Sequence, residues 1–218
     1  MQVGTAEPTC FPAAPYRFDI IRLLDIGLAI PLIIFFAPLL IFIMILVRSS
    51  SKGPALYLHK RVGYHGETFS CFKFRTMTID ADVRLARLLE QDPIARTEWM
   101  FDHKLRHDPR VTPLGRFLRR SSIDELPQLF NVLQGTMSLV GPRPIVSAEI
   151  ARYGRHFSHY TAVRPGITGL WQVSGRNNTS YRRRVALDVV YARRKSVKLY
   201  GRIVMLTVPA VLLQRGSC

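Results

Sequence analysis

The apolar residues of this chain are gathered into one dominant block. From Ile26 to Val47 there are 22 consecutive uncharged residues, almost all aliphatic or Phe. At about 1.5 Å per helical residue the run is about 33 Å long, enough to cross a hydrocarbon core. It begins too late and runs too long for a cleaved signal peptide, and no small-residue cleavage site follows. The pattern therefore predicts a membrane helix over 20–48, between an N-terminal tail (1–19) and a cytosolic domain (49–218). Pro31 and Pro38 each remove a backbone donor inside it, freeing the carbonyls of Gly27 and Ile34. Two topologies fit: a kinked span, or a re-entrant helix that breaks near Pro38 and returns to the face it entered. Arg17 and Arg22 precede the run, and Arg48, Lys52, Lys60 and Arg61 follow it. Neither flank is poor in positive charge, which a full crossing would require.

Beyond this block the pattern alternates and then turns helical. Ala55–Arg61 and Thr68–Thr76 read as two strands joined by Tyr64-His65-Gly66-Glu67, a hairpin. On the second strand Lys73 and Arg75 share one face and Phe72 and Phe74 the other. Ala81–Gln91 and Ile94–Arg106 read as helices either side of Asp92-Pro93, and a further helix runs from Asp124 through Leu133. Arg164–Ser180, rich in Gly, Asn and Ser, reads as a long functional loop. Arg182–Arg202 carries eight Lys/Arg against the single acid Asp188. It is either a solvated face or a basic amphipathic helix on anionic lipid. Ile203–Leu213 is too short to span, so it is core or interfacial. The fold class is mixed α/β (α+β), helix-rich, with one hairpin.

Composition narrows the partners. The chain has 218 residues, 31 Lys+Arg against 15 Asp+Glu, and a formal charge of +16. Cys10, Cys71 and Cys218 match no disulfide or zinc framework, which excludes a stapled secreted module. The excess charge calls for an anionic partner: nucleic acid, a phospholipid surface or a phosphorylated substrate. No nucleic-acid reading module accompanies it, so no nucleic acid is expected. His103-x-x-x-His107 lacks the glutamate of a zincin motif, and His156-x-x-His159 is no better. Asn177-Asn178-Thr179 matches a glycosylation acceptor, which means little on a reducing-side protein.

Asp124-Glu125 is the only adjacent acidic pair in the chain. Ser122-x-x-Glu125 fits a capping box, whereas Pro127 fits better with Asp124 as the cap. In either register the pair could be no more than helix stabilisers. Its surroundings point further. Arg119 and Arg120 precede it, and Arg143 sits between two prolines in Gly141-Pro142-Arg143-Pro144, a stiff turn repeated by Arg164-Pro165-Gly166. Stiff arginines, with Lys73 and Arg75, near paired carboxylates suit phosphoryl chemistry: cations on phosphate oxygens, one carboxylate attacking, the other helping to hold Mg²⁺.

Six motifs stand in order: Lys73-Phe74-Arg75-Thr76-Met77, Asp108-Pro109-Arg110, Leu118-Arg119-Arg120, Asp124-Glu125-Leu126-Pro127-Gln128-Leu129, Met137 through Pro144, and Arg164 through Gly169. Together they resemble the bacterial sugar transferase family, the monotopic phosphoglycosyl transferases. Trp171 through Asn177 and the ending Arg215-Gly216-Ser217 resemble its short members that start exopolysaccharide repeat units. The resemblance implies transfer of a sugar-1-phosphate, galactose or glucose, from a UDP-sugar to undecaprenyl phosphate with release of UMP. It implies Asp124 as nucleophile, Glu125 as the Mg²⁺ ligand, and Lys73, Arg119 and Arg143 as phosphate-handling groups. It implies a bacterial plasma-membrane protein with its catalytic domain on the cytoplasmic face, and leaves open a downstream glycosyltransferase or a homo-oligomer as a further partner. The family breaks its re-entrant helix at Ser-Pro; here the pair is Ala37-Pro38. Lys195 and Gly201 stand where the family carries an aromatic and an aspartate, which predicts a looser C-terminal end. A non-catalytic basic scaffold and an inactive relative are the alternatives.

Overall fold

The computed structural model describes residues 19–102, 105, 108–175 and 179–212. The tail 1–18, His103, His107, Asn177, Asn178 and the Arg215-Gly216-Ser217 ending lie outside the described residues.

The apolar block forms α1 (Ile20–Ser50), one helix that continues through Pro31 and Pro38, so the break expected at Pro38 does not form. It starts earlier than the apolar run because Asp19 caps it, accepting from the Ile21 amide at 3.2 Å. Ile21, Asp25, Ala29, Leu40, Ile43 and Val47 are buried, and Ile33 and Phe36 pack beside them. These positions recur every three or four residues, so one stripe of the helix is docked along its whole length. The opposite face, including Ile34, Phe35, Ile41, Phe42 and Ile45, is exposed and apolar. Pro38 lies outside the buried stripe.

Charged side chains lock both ends of α1 to the same domain. Arg22 donates to the Val132 and Leu133 carbonyls, the latter at 2.9 Å. At the other end Arg75 donates to the Lys52 and Ser51 carbonyls at 2.9 and 2.8 Å. Asp25, which directly precedes the apolar run, is 1% exposed. Its Oδ1 accepts from Ser138 Oγ, the Leu139 amide and Tyr200 Oη, each at 2.9 Å. An ionisable group within an apolar helix is retained where such partners replace its water.

The predicted hairpin is present as β1 (Leu56–Val62) and β2 (Thr68–Phe74), antiparallel with Tyr57 opposite Lys73 and Arg61 opposite Phe69. Then follow α2 (Ala81–Gln91), with its predicted bounds, α3 (Pro93–Asp102), α4 (Pro113–Arg120) and α5 (Gln128–Gln134). A second, parallel pair joins β3 (Ser138–Val140) to β4 (Gly166–Thr168) across α6 (Ile150–Tyr153) and α7 (Phe157–Thr161). Part of the expected long loop is therefore strand and, in α8 (Leu170–Val173), helix. Three-residue strands carry no readable alternation.

Gly141 and Gly166 make this crossing possible. A Cβ on Gly141 would stand 2.3 Å from the Arg164 carbonyl oxygen, and one on Gly166 would stand 2.0 Å from the Gly141 nitrogen. Gly166→Ala should therefore destabilise the fold by about 3 kcal/mol or more, read as a lowered melting temperature in detergent.

The chain closes with α9 (Tyr181–Arg194) and α10 (Val197–Leu212). This end packs against the rest of the domain. Tyr191, Tyr200 and Ile203 are buried in the main core, and Lys195 donates to Asp19 at 3.0 Å. Met205 and Val208 are exposed, so α10 is core on one side and apolar surface on the other. A Cβ at Gly201 would meet nothing within 4 Å. Gly201→Ala should raise stability by about 0.5–1 kcal/mol, measurable in the same melt.

Candidate active site

The acidic pair sits on a short 3-10 turn, Ile123–Glu125, rather than at the start of an α-helix. Neither capping register forms. Ser122 makes no side-chain cap bond and holds a left-handed backbone at φ 57°, while α5 begins only after Pro127, again without a side-chain cap. Left-handed backbone at a non-glycine residue is sparsely populated and concentrates at functional turns. The two carboxylates are thus not helix stabilisers.

Asn131 sets the pair against the hairpin. It is 1% exposed, accepts from the Phe72 amide at 2.8 Å and donates to the Ser70 carbonyl at 2.8 Å. Its carboxamide thereby serves the free edge of β2 as a neighbouring strand would. This holds Lys73 beside Glu125, Nζ to Oε1 at 2.6 Å.

Glu125, Lys73, Arg61, Arg143, Gln128, Pro144, Gly166, Ile167 and Gln172 line one cleft. One carboxylate there meets three cations. Burial pushes the Glu125 carboxyl up, but Lys73, then Arg143 and Arg61, outweigh it and hold it below the usual range. Asp124 goes the other way. It is 8% exposed, and burial, reinforced by the neighbouring Glu125 charge, raises it to about 6 against the pull of Lys73 and Arg119. Adjacent carboxyls driven apart in this manner divide acid–base and nucleophilic roles between them.

The structure does not bring all the predicted cations here. Arg119 faces Asp124 electrostatically and donates from Nε to Thr76 Oγ1 at 2.9 Å. Arg75 is a correction: β2 stops at Phe74, not Thr76, and the buried guanidinium caps the end of α1. Arg164 is a second. It donates to the Gly135 carbonyl at 2.9 Å and stacks over the Tyr64 ring, lining a separate cleft with Asp19 and Lys195.

Arg61, Gln128 and Gln172 were missed as site residues. Arg61 is 9% exposed, donates to the Pro144 carbonyl at 3.0 Å, and approaches His59 Nδ1 at 3.1 Å. It buttresses the turn that carries Arg143. Burial, then Arg61, Lys73 and Arg143, drive His59 down to about 4, so it is neutral here. The hairpin register carried the signal, since directly opposed residues share a face. Tyr57 opposite Lys73 places His59 and Arg61 on the Lys73 side.

Residues 16–214 match the family described as bacterial sugar transferase. The chain belongs to that family. It is 50% identical over 198 residues to an undecaprenyl-phosphate galactose phosphotransferase of Salmonella typhimurium, covering 90% of this chain and 41% of the relative. To the exopolysaccharide production protein ExoY of Sinorhizobium fredii it is 46% identical over 196 residues, covering 90% and 87%. To a UDP-galactose-lipid carrier transferase of Erwinia amylovora it is 44% identical over 196 residues, covering 90% and 41%. The chain thus spans less than half of two of these relatives and most of the third.

Proposed function

We propose that this protein transfers a hexose-1-phosphate from a UDP-sugar to undecaprenyl phosphate, releasing UMP, as the first step of exopolysaccharide assembly. The observation that carries the reading is the cleft in which Arg61, Lys73 and Arg143 face the single carboxylate of Glu125 beside the buried Asp124. Three cations against one anion leave a site short of negative charge, which a diphosphate supplies.

In this mechanism an Asp124 carboxylate oxygen attacks the sugar-bearing phosphorus of the donor. A new O–P bond forms, the bond to the bridging oxygen breaks, and UMP leaves with that oxygen and its electron pair. A phosphate oxygen of the lipid then attacks the same phosphorus, and the Asp124 carboxylate leaves. Lys73, Arg61 and Arg143 hold phosphate oxygens as charge moves among them. The shielding of Asp124 keeps water from a labile acyl phosphate.

The donor set suits Mg²⁺. That ion binds through one or two carboxylates together with substrate phosphates and water, and no cluster of three His, Cys, Asp or Glu occurs among the described residues. Glu125, with only one oxygen committed to Lys73, would hold it, and the ion would neutralise phosphate charge. Membranes containing the protein, given Mg²⁺, undecaprenyl phosphate and UDP-galactose or UDP-glucose, should release UMP. No release with either donor would overturn the reading.

The same account lays α1 unbroken along the membrane face, with both its ends on the cytoplasmic side. Supporting this is the buried stripe along the whole helix, with Arg22 and Arg75 fastening both ends to one domain. A straight crossing would drag that polar domain into hydrocarbon. In a chain without Cys10, Cys71 and Cys218, cysteines placed at Thr5 and Ser50 should both resist an impermeant thiol reagent in intact cells. Both should label once the membrane is opened. Labelling at position 5 alone in intact cells would mean a crossing.

A further inference from the structure

The mechanism uses the charged groups of the cleft and leaves its neutral polar groups unassigned. Gln172 lines it with β4 residues Gly166 and Ile167, and so does Gln128, on α5, four residues after Asp124. The Gln172 amide is oriented: Nε2 donates to the Ile167 carbonyl at 2.9 Å. Flipping the amide would set two acceptors against each other, so Oε1 is fixed as the free acceptor. That oxygen is buried and has no hydrogen-bond partner among the described residues. Gly169 makes room for it, since a Cβ there would come within 2.9 Å of Oε1. A buried acceptor without a donor is costly and rare, and in a cleft it marks where a ligand donor belongs. Gln128 is 2% exposed and lines the same cleft, and its carboxamide makes no hydrogen bond among the described residues.

We propose that Gln172 and Gln128 form the subsite for the hydroxyl groups of the transferred sugar, and thereby set which hexose is accepted. The inference rests on the proposed transferase reaction. It follows from chemical order along the donor. Asp124 attacks the phosphorus that bears the sugar, whereas the nucleoside lies one phosphate further away. The uncharged amides of Gln128, four residues after that nucleophile, and of Gln172, which lines the same cleft, meet the sugar rather than the uracil. A hydroxyl both donates and accepts, matching the fixed Oε1 of Gln172 and the NH₂ of Gln128.

The test compares UDP-hexoses with their 2-, 3-, 4- and 6-deoxy counterparts on the full chain in membranes, with undecaprenyl phosphate and Mg²⁺. Wild-type protein should lose about 10- to 100-fold in kcat/KM when the contacted hydroxyl is removed. Gln172→Met should lose a similar factor with the intact sugar and pay no further penalty for that deoxy donor. Gln128→Met should show the same non-additivity at its own hydroxyl. Inhibition by UDP should be unchanged in both variants, which also shows that they are folded. Deoxy penalties equal in wild type and both variants would overturn the subsite. So would a tenfold weaker inhibition by UDP in a variant with wild-type thermal stability, which would place the amides on the nucleotide. Absence of wild-type turnover with every donor would instead overturn the transferase reading on which the subsite rests.

Discussion

Asp124→Asn should release no detectable UMP, a fall of at least about a thousandfold, and should be more stable than the wild type at neutral pH. An amide cannot accept the phosphoryl group, so activity disappears. Stability moves the other way because the carboxyl is raised from 3.8 to about 6 by burial and then by Glu125. An acid raised in the fold binds its proton more tightly folded than unfolded. Its ionisation therefore opposes folding, fully above pH 6 and not at all well below pH 4. Over this interval the penalty is about 2–3 kcal/mol, at ~1.4 kcal/mol per pH unit. The asparagine variant should gain that amount at pH 7.5 and nothing at pH 3, measured by thermal unfolding in detergent. In the wild type the rate of UMP release should rise with pH through about 6 as the nucleophile ionises. An inactive variant that is also destabilised at pH 7.5 would return Asp124 to a structural role.

Glu125→Gln is the second large effect. Its carboxylate is the one negative group of the cleft set against Arg61, Lys73 and Arg143. Removing it frees the Lys73 ammonium from a 2.6 Å contact and takes away the proposed Mg²⁺ ligand. UMP release should fall by about a hundredfold or more and lose most of its dependence on Mg²⁺. Affinity for UDP measured without metal should hold or rise, since three cations then act unopposed. Wild-type dependence on Mg²⁺ in this variant would remove Glu125 from the metal site.

How much of this was legible in the sequence follows from how local each signal is. The apolar run, the hairpin and α2 each declare themselves within a dozen or so residues, and all three are present. Asp124, Glu125, Lys73 and Arg143 were found by residue type and motif, and the fold brings the last three to one cleft. Arg75 and Arg164 show the limit. A free arginine and one that caps a helix or reaches a backbone carbonyl look alike in sequence, and only the tertiary path decides. Asp25 is the sharper case. As a charge near an apolar run it reads as interfacial, yet Ser138, Leu139 and Tyr200 meet it from more than a hundred residues away. Gln172 lay within a segment read as loop, where no period indicates which side chains turn inward.

The central claim is that Asp124 carries the sugar phosphate between donor and acceptor, and a single-turnover experiment without lipid phosphate tests it most directly. Protein at stoichiometric concentration with UDP-sugar and Mg²⁺ should release about one UMP per active site in a burst and then stop. A rapidly quenched digest should show the peptide containing Asp124 heavier by one hexose phosphate. No UMP until undecaprenyl phosphate is added, with that peptide unmodified, would contradict the account and require direct transfer between the two bound substrates.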